Sequence, residues 1–280
     1  MRATEDQLNP AQLSEGHRLT SFGHAVFALA LAGFGVLSLV SGDFAYVWQA
    51  VPPWVPGRLV LAYASGAVLL GCGAGLLWPR VRGRASLVLI VYALASMLLL
   101  HIPRAVMQPL TEVRWFDVGE IATIVAGGWI LFASATPAPA SGWRKAVVGE
   151  PGARFAGLLF AVALLPFGLS HFVYSEVTAR MVPSWLPGHF GWAYLTGAGH
   201  IAAGLAILFG ILPRLAATLE ALMVSTFVLT VHVPLLLHAP GDRDQWTELF
   251  VACAIAGAAF LVAHSYRPPE VRDGVAQADG

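Results

Sequence analysis

Of 280 residues, 57% are apolar or aromatic and only 11% are charged, against about 25% in a soluble domain, so a water-covered surface is excluded. Sixteen basic and sixteen acidic residues cancel, and without a basic run nucleic acid is excluded as a partner. Cys72 and Cys253 lie in separate apolar runs with no CxxC pair, which excludes a disulfide framework and thioredoxin-like chemistry.

Charge, proline and turn residues cut the chain into eight apolar runs: Leu19–Val40, Leu59–Trp78, Ala85–Ile102, Asp117–Ala133, Arg154–Val173, Trp192–Leu212, Leu215–Leu235 and Trp246–His264. Each approaches the ~20 residues with which an α-helix crosses ~30 Å of hydrocarbon. None alternates with period two, which disfavours a β-barrel. The first run is longer than the core of a signal peptide and is read as a helix. Glycines cluster in the second and sixth runs (Gly66, Gly71, Gly73, Gly75; Gly197, Gly199, Gly204), as where helices approach closely in lipid. The expected fold is all-α: a polytopic membrane protein of two tandem, parallel four-helix bundles. Residues 1–18 form an N-terminal tail, 19–135 the first unit, 136–152 a linker, 153–265 the second unit and 266–280 a C-terminal tail.

Basic residues orient the chain. With the N-terminus inside, Arg2, Arg18, Arg80, Arg82, Arg84, Arg144, Lys145, Arg154, Arg214, Arg267 and Arg272 are cytoplasmic, while Arg58, Arg104, Arg114, Arg180 and Arg243 are outside. The excess places both termini in the cytoplasm of a bacterium's inner membrane.

The two units are copies. A shift of 131 residues takes Val51-Pro-Pro-Trp-Val-Pro-Gly57 to Val182-Pro-Ser-Trp-Leu-Pro-Gly188, Ala62-Tyr63 to Ala193-Tyr194, His101-Ile-Pro103 to His232-Val-Pro234 and Trp115-Phe-Asp117 to Trp246-Thr-Glu248. A two-residue adjustment brings Phe34-Gly35 and Asp43 onto Phe167-Gly168 and Glu176. Proline, tryptophan, histidine and acid do not align together by apolar chance. Four helices per copy make the repeat parallel rather than inverted. The loops bearing Trp54 and Trp185 read either as rigid interfacial turns or as lids over an outward pocket.

Ionisable residues inside a bilayer face a partner or a cavity. In the second unit His171, His200, His232 and Glu248 come one from each helix at similar depth, with Glu176 and His189 in the loop above and Trp185 and Tyr194 beside them. Such convergence is how a bundle builds a site. The first unit retains Asp43, Trp54, Tyr63, His101 and Asp117, but places Ser38 and Leu69 where His171 and His200 stand, so Leu at 200 should fit the backbone. For His101 and His232 a capping role, with the following proline ending the helix, is equally open. Glu220, opposite Leu89 in the repeat, reads as a partner of Arg214, and Glu120 as one of Arg114 or Arg104. His and Glu ligands could hold a metal, and two facing histidines a haem. A quinone ranks above both, because it needs only an apolar slot with a histidine and an acid to exchange protons.

Phe167-Gly-Leu-Ser-His-Phe172, Val182-Pro-Ser-Trp-Leu-Pro187 and Gly197-Ala-Gly-His-Ile-Ala-Ala-Gly204 resemble the DoxX-like family of bacterial membrane proteins. The resemblance spans the second unit and, more loosely, the first. Family members commonly carry Glu where His200 stands, and usually a single unit. The resemblance implies a redox-linked role: an accessory or quinone-associated subunit of a membrane oxidoreductase, with a periplasmic or membrane redox partner. A small-molecule or lipid transporter and a non-catalytic scaffold for a periplasmic partner are the alternatives.

Overall fold

The computed structural model describes residues 10–45, 48–137 and 142–266. The N-terminal tail before residue 10, Ala138–Ser141 of the linker and the C-terminal tail from 267, with Arg2, Arg267 and Arg272, lie outside the described residues. The described chain is helical, in the order α1 (Pro10–Ser41), α2 (Arg58–Leu77), α3 (Arg82–Ser96), α4 (Ile102–Met107), α5 (Glu112–Ala135), α6 (Gly149–Val173), α7 (Ser175–Met181), α8 (His189–Leu208), α9 (Pro213–Phe227), α10 (Val233–His238) and α11 (Arg243–Ser265). Eight segments are long and apolar enough to cross a bilayer: α1, α2, α3–α4, α5, α6, α8, α9–α10 and α11. The protein is an all-α polytopic membrane protein. Its linker is more ordered than expected, holding a short 3-10 turn at Trp143–Ala146, and α6 begins at Gly149. The Trp129 indole N–H ties the linker down by donating to the Val147 carbonyl.

The repeat persists in local geometry. Gly57 and Gly188 take left-handed backbone (φ +67° and +73°) to start α2 and α8, a conformation that favours glycine. The Trp115 and Trp246 indoles donate at 3.0 Å to the carbonyls of Pro109 and Pro240. The two His-x-Pro motifs do not end their helices, contrary to the capping reading. Proline has no N–H and its ring crowds the carbonyl four residues earlier. Each helix absorbs this in one wide π turn, Met97–His101 and Val228–His232, and then continues through α4 and α10. His101 Nδ1 and Nε2 and His232 Nδ1 are buried without a hydrogen bond. The Trp48 backbone lies near enough to His101 to act on it electrostatically, but outside hydrogen-bond geometry.

The units are not two self-contained bundles. In each, the last helix packs far more on the first helix of the other unit than on its own: α5 most extensively on α6, and α11 on α1. The spanning segments thus form a closed ring, α1, α2, α3, α5, α6, α8, α9, α11 and back to α1, with α5 and α11 also touching across the middle. These two are the most buried spans, and they lack one polar face, as helices enclosed on all sides do. Arg243 at the start of α11 reaches Asp43 of the first unit (3.7 Å), which also holds Arg58 (2.7 Å).

Glycine contacts set the closest approaches. Gly35 abuts Gly66 and Leu70 on α2, and its repeat partner Gly168 abuts Gly197 and Ile201 on α8. A Cβ on Gly204 would lie 2.7 Å from the Ala161 carbonyl oxygen, and one on Gly73 2.5 Å from that of Ala28. Backbone cannot retreat as a flexible side chain does, so Gly204→Leu should cost upwards of ~3 kcal/mol. Leu219→Ala, on the exposed outside of α9, should cost under ~0.5 kcal/mol. Thermal unfolding in detergent compares them, and equal melting temperatures would contradict the glycine contact. Leu208 of α8, by contrast, packs against the core.

Candidate functional site

A cavity of about 640 Å3 opens among α5, α6, α8, α9 and α11 and extends to the loop at Met181–Leu186. Its walls are mainly apolar and aromatic, with Phe116, Phe167, Phe227, Trp185 and Trp192 prominent, the usual character of a small-molecule site. Five spanning helices build it rather than four, with Thr178 and Met181 of α7 at its edge, because α5 of the first unit inserts between α6 and α11 and contributes Phe116 and Glu120.

His200 is a buried polar group of the cavity wall. It is 4% exposed, and its Nδ1 shares a 2.8 Å hydrogen bond with Glu220 Oε1. Glu220 therefore pairs with His200 rather than with Arg214. Six residues separate 214 from 220, about 600° of helix at 3.6 residues per turn, which puts the two on different faces. Glu220 is 1% exposed and its Oε2 has no hydrogen-bond partner. With Nδ1 engaged, His200 keeps Nε2 for whatever occupies the cavity. The His200 ring stands edge-on to His171 (centroids 5.2 Å), Phe167 (6.0 Å) and Phe227 (6.1 Å).

His171, near the end of α6, places Nδ1 2.9 Å from the Thr196 hydroxyl oxygen and 3.2 Å from the Ala193 carbonyl. The Thr196 hydroxyl donates to the Trp192 carbonyl at 2.9 Å. That pattern is satisfied when His171 carries its proton on Nδ1, leaving the Nε2 lone pair free. His232 lines the cavity from the π turn of α9–α10. Glu120 and Glu248 face the cavity from the two central helices, close enough for their charges to interact. Neither carboxyl has a hydrogen-bond or ion-pair partner among the described residues. Glu120 does not reach Arg114, again six residues back on another helix face; Arg114 instead pairs with Asp117, three residues on, at 3.6 Å.

The cavity thus gathers His171, Trp185, His200, His232 and Glu248. It leaves out Glu176, exposed and 3.6 Å from Arg180, His189 at the first position of α8, and Tyr194, whose exposed ring stacks on Phe172 at 5.7 Å. Glu176 belongs to the short helix α7 rather than to a loop. Trp185 is 72% exposed on a turn closed by the Leu186 N–H bonding to the Pro183 carbonyl, and the Trp54 loop repeats that turn. Both are hydrogen-bonded turns, and the Trp185 turn also borders the cavity. Among the described residues no three His, Cys, Asp or Glu side chains converge as a metal ion requires.

The first-unit residues do other work. Asp43 is an ion-pair hub, Asp117 is buried beside Arg114, His101 is 1% exposed, and Trp54 and Tyr63 point outward. Leu69 and Leu89, both 0% exposed, occupy the repeat positions of His200 and Glu220. Glu120, Glu220, Phe167 and Thr196 are the lining or supporting groups that sequence reasoning did not place at the site. One signal pointed to the buried pair: the two units differ from Leu to a polar residue at both positions together.

Fold and site define a polytopic α-helical membrane protein with a ligand-sized cavity walled by aromatic, histidine and carboxyl groups. Residues 160–267 match a family described as a domain of unknown function (DUF8561), and that stretch holds every second-unit residue of the cavity wall. No curated protein and no solved structure matches the chain.

Proposed function

We propose that this chain is a redox-accessory protein of the bacterial inner membrane that holds a quinone-type ring in the second-unit cavity. The observation that carries this reading is the pairing of an aromatic, membrane-embedded cavity with proton-exchanging groups: His200 backed by Glu220, and the free carboxyls Glu120 and Glu248. Quinone carbonyls accept hydrogen bonds, and their reduced hydroxyls donate them, so a wall offering both is suited to either state. The resemblance of the second-unit motifs to DoxX-like proteins supports the same reading. Transport is less well supported, since the polar track inward from the cavity stops at Glu220 Oε2, which has no onward partner.

Purification in native lipid followed by extraction and mass spectrometry should recover one quinone per chain. His200→Leu/Glu220→Leu, which installs the first-unit pair, should stay folded and lose it. A folded wild type carrying no quinone would leave the scaffold reading as the better account. Orientation is tested separately. Reporter fusions within Thr136–Ser141 and at the C-terminus should both read cytoplasmic, and fusions within Asp242–Asp244 periplasmic, because basic residues favour that arrangement. A periplasmic C-terminus would contradict it.

A further inference from the structure

The repeat supplies an internal image of how the cavity is filled. In the first unit the chain after α1 turns inward. Trp48 is 3% exposed, and its ring stacks on Phe34 at 4.2 Å with 7° between planes. Gln49 is 2% exposed; its Nε2 donates to Ser65 Oγ (2.6 Å) and to the Tyr92 hydroxyl, while its Oε1 accepts from the Ala45 N–H. Ala50 follows at φ +33°, a left-handed turn uncommon for a residue other than glycine, which holds the two side chains inward. The groups they touch map one for one onto the cavity wall. Phe34 corresponds to Phe167, Ser65 to Thr196 and Tyr92 to Met223, and all three counterparts line the cavity. Between Glu176 and Val182 the second unit has two residues fewer than the first has between Asp43 and Val51, with no tryptophan or glutamine among them, and Met181 and Val182 stand at the wall instead of filling the space.

We infer that the first unit is plugged by its own Trp48 and Gln49, and that the second-unit cavity takes a free planar ring in the same pose, face-on to Phe167, with its polar edge directed at His200 and, in the reduced form, a hydroxyl donating to the Thr196 oxygen as Gln49 donates to Ser65. This rests on the reading of the cavity as a ligand site and adds the ligand's shape and orientation. A planar, bicyclic-sized ring with one hydrogen-bonding edge fits, as a naphthoquinone does; a flexible acyl chain alone lacks the flat face. The first-unit plug supplies ring and polar head from the protein itself, so one unit fills this space with its own side chains while the other presents a cavity.

The test uses the full chain in lipid nanodiscs, with 2-methyl-1,4-naphthoquinone as probe in equilibrium dialysis. The wild type should bind one equivalent. Phe167→Leu should weaken binding about tenfold, and Phe167→Tyr should restore it, because the stacked face is worth on the order of 1 kcal/mol. Trp48→Ala/Gln49→Ala should open the first unit and raise the count to two equivalents. If that variant fails to fold, the Phe167 pair alone decides the pose. No binding by the wild type overturns the ligand-site reading. One equivalent that is indifferent to Phe167→Leu, or a folded Trp48→Ala/Gln49→Ala variant that still binds one, overturns the pose and the plug while leaving the site.

Discussion

His200→Leu alone should destabilise the protein by about 3–5 kcal/mol, whereas His200→Leu/Glu220→Leu should cost less than about 1 kcal/mol. The single change leaves a buried glutamate with both oxygens unpartnered, since Oε2 already lacks a bond and Oε1 loses its only one. The double change removes the orphan. It also recreates what the first unit contains at the same places, Leu69 and Leu89, each fully buried in a well-packed bundle. Leu69 at the repeat position lets the backbone accept Leu at 200, but the bond to Glu220 is the reason to expect the single change to cost stability. A double-mutant cycle on unfolding in mild detergent measures the coupling. If the double variant is as unstable as His200→Leu, the two side chains are not a unit and the pair is a coincidence of packing.

Glu120→Val should work in the opposite direction, stabilising the fold by about 1–3 kcal/mol while weakening ligand retention. Glu120 is 7% exposed and has no partner among the described residues, and a buried polar group left unpaired costs about that much. Valine is what the repeat itself uses, since Val251 is the α11 counterpart and lines the same cavity. Retention of such a residue against its stability cost is expected where it serves a site. The check is a paired one: melting temperature and co-purified quinone on the same preparation. A variant that melts lower than wild type would mean that Glu120 has a stabilising partner after all. One that melts higher but retains its quinone fully would remove Glu120 from the site.

Eight spans were legible because lipid imposes a coarse rule. Each crossing needs about 20 apolar residues in a helix, whatever lies beside it. The repeat was legible for a similar reason: proline, glycine and tryptophan positions fix local backbone, and the matching π turns at His101 and His232 follow from the prolines two residues on. The polar residues were only half legible. His171, His200, His232 and Glu248 could be put at one depth by counting along helices, and depth is a one-dimensional quantity. Azimuth is not, and so the sequence pairs Glu220 with Arg214, and Glu120 with Arg114 or Arg104, although Arg214 and Arg114, each six residues back, face elsewhere.

The sequence by itself determined the solvent, the number of crossings, the duplication and the local bends, all of which depend on composition and short-range sterics. Only the tertiary structure decided which helices are neighbours. Lipid satisfies an apolar helix face about as well as another helix does, so hydropathy carries no instruction that α5 should pack on α6 of the other unit, or α11 on α1. That exchange brings Glu120 into the second-unit cavity, and close packing across it pairs Glu220 with His200. The site is therefore a product of partner choice, made by glycine contacts and side-chain fit distributed over many residues.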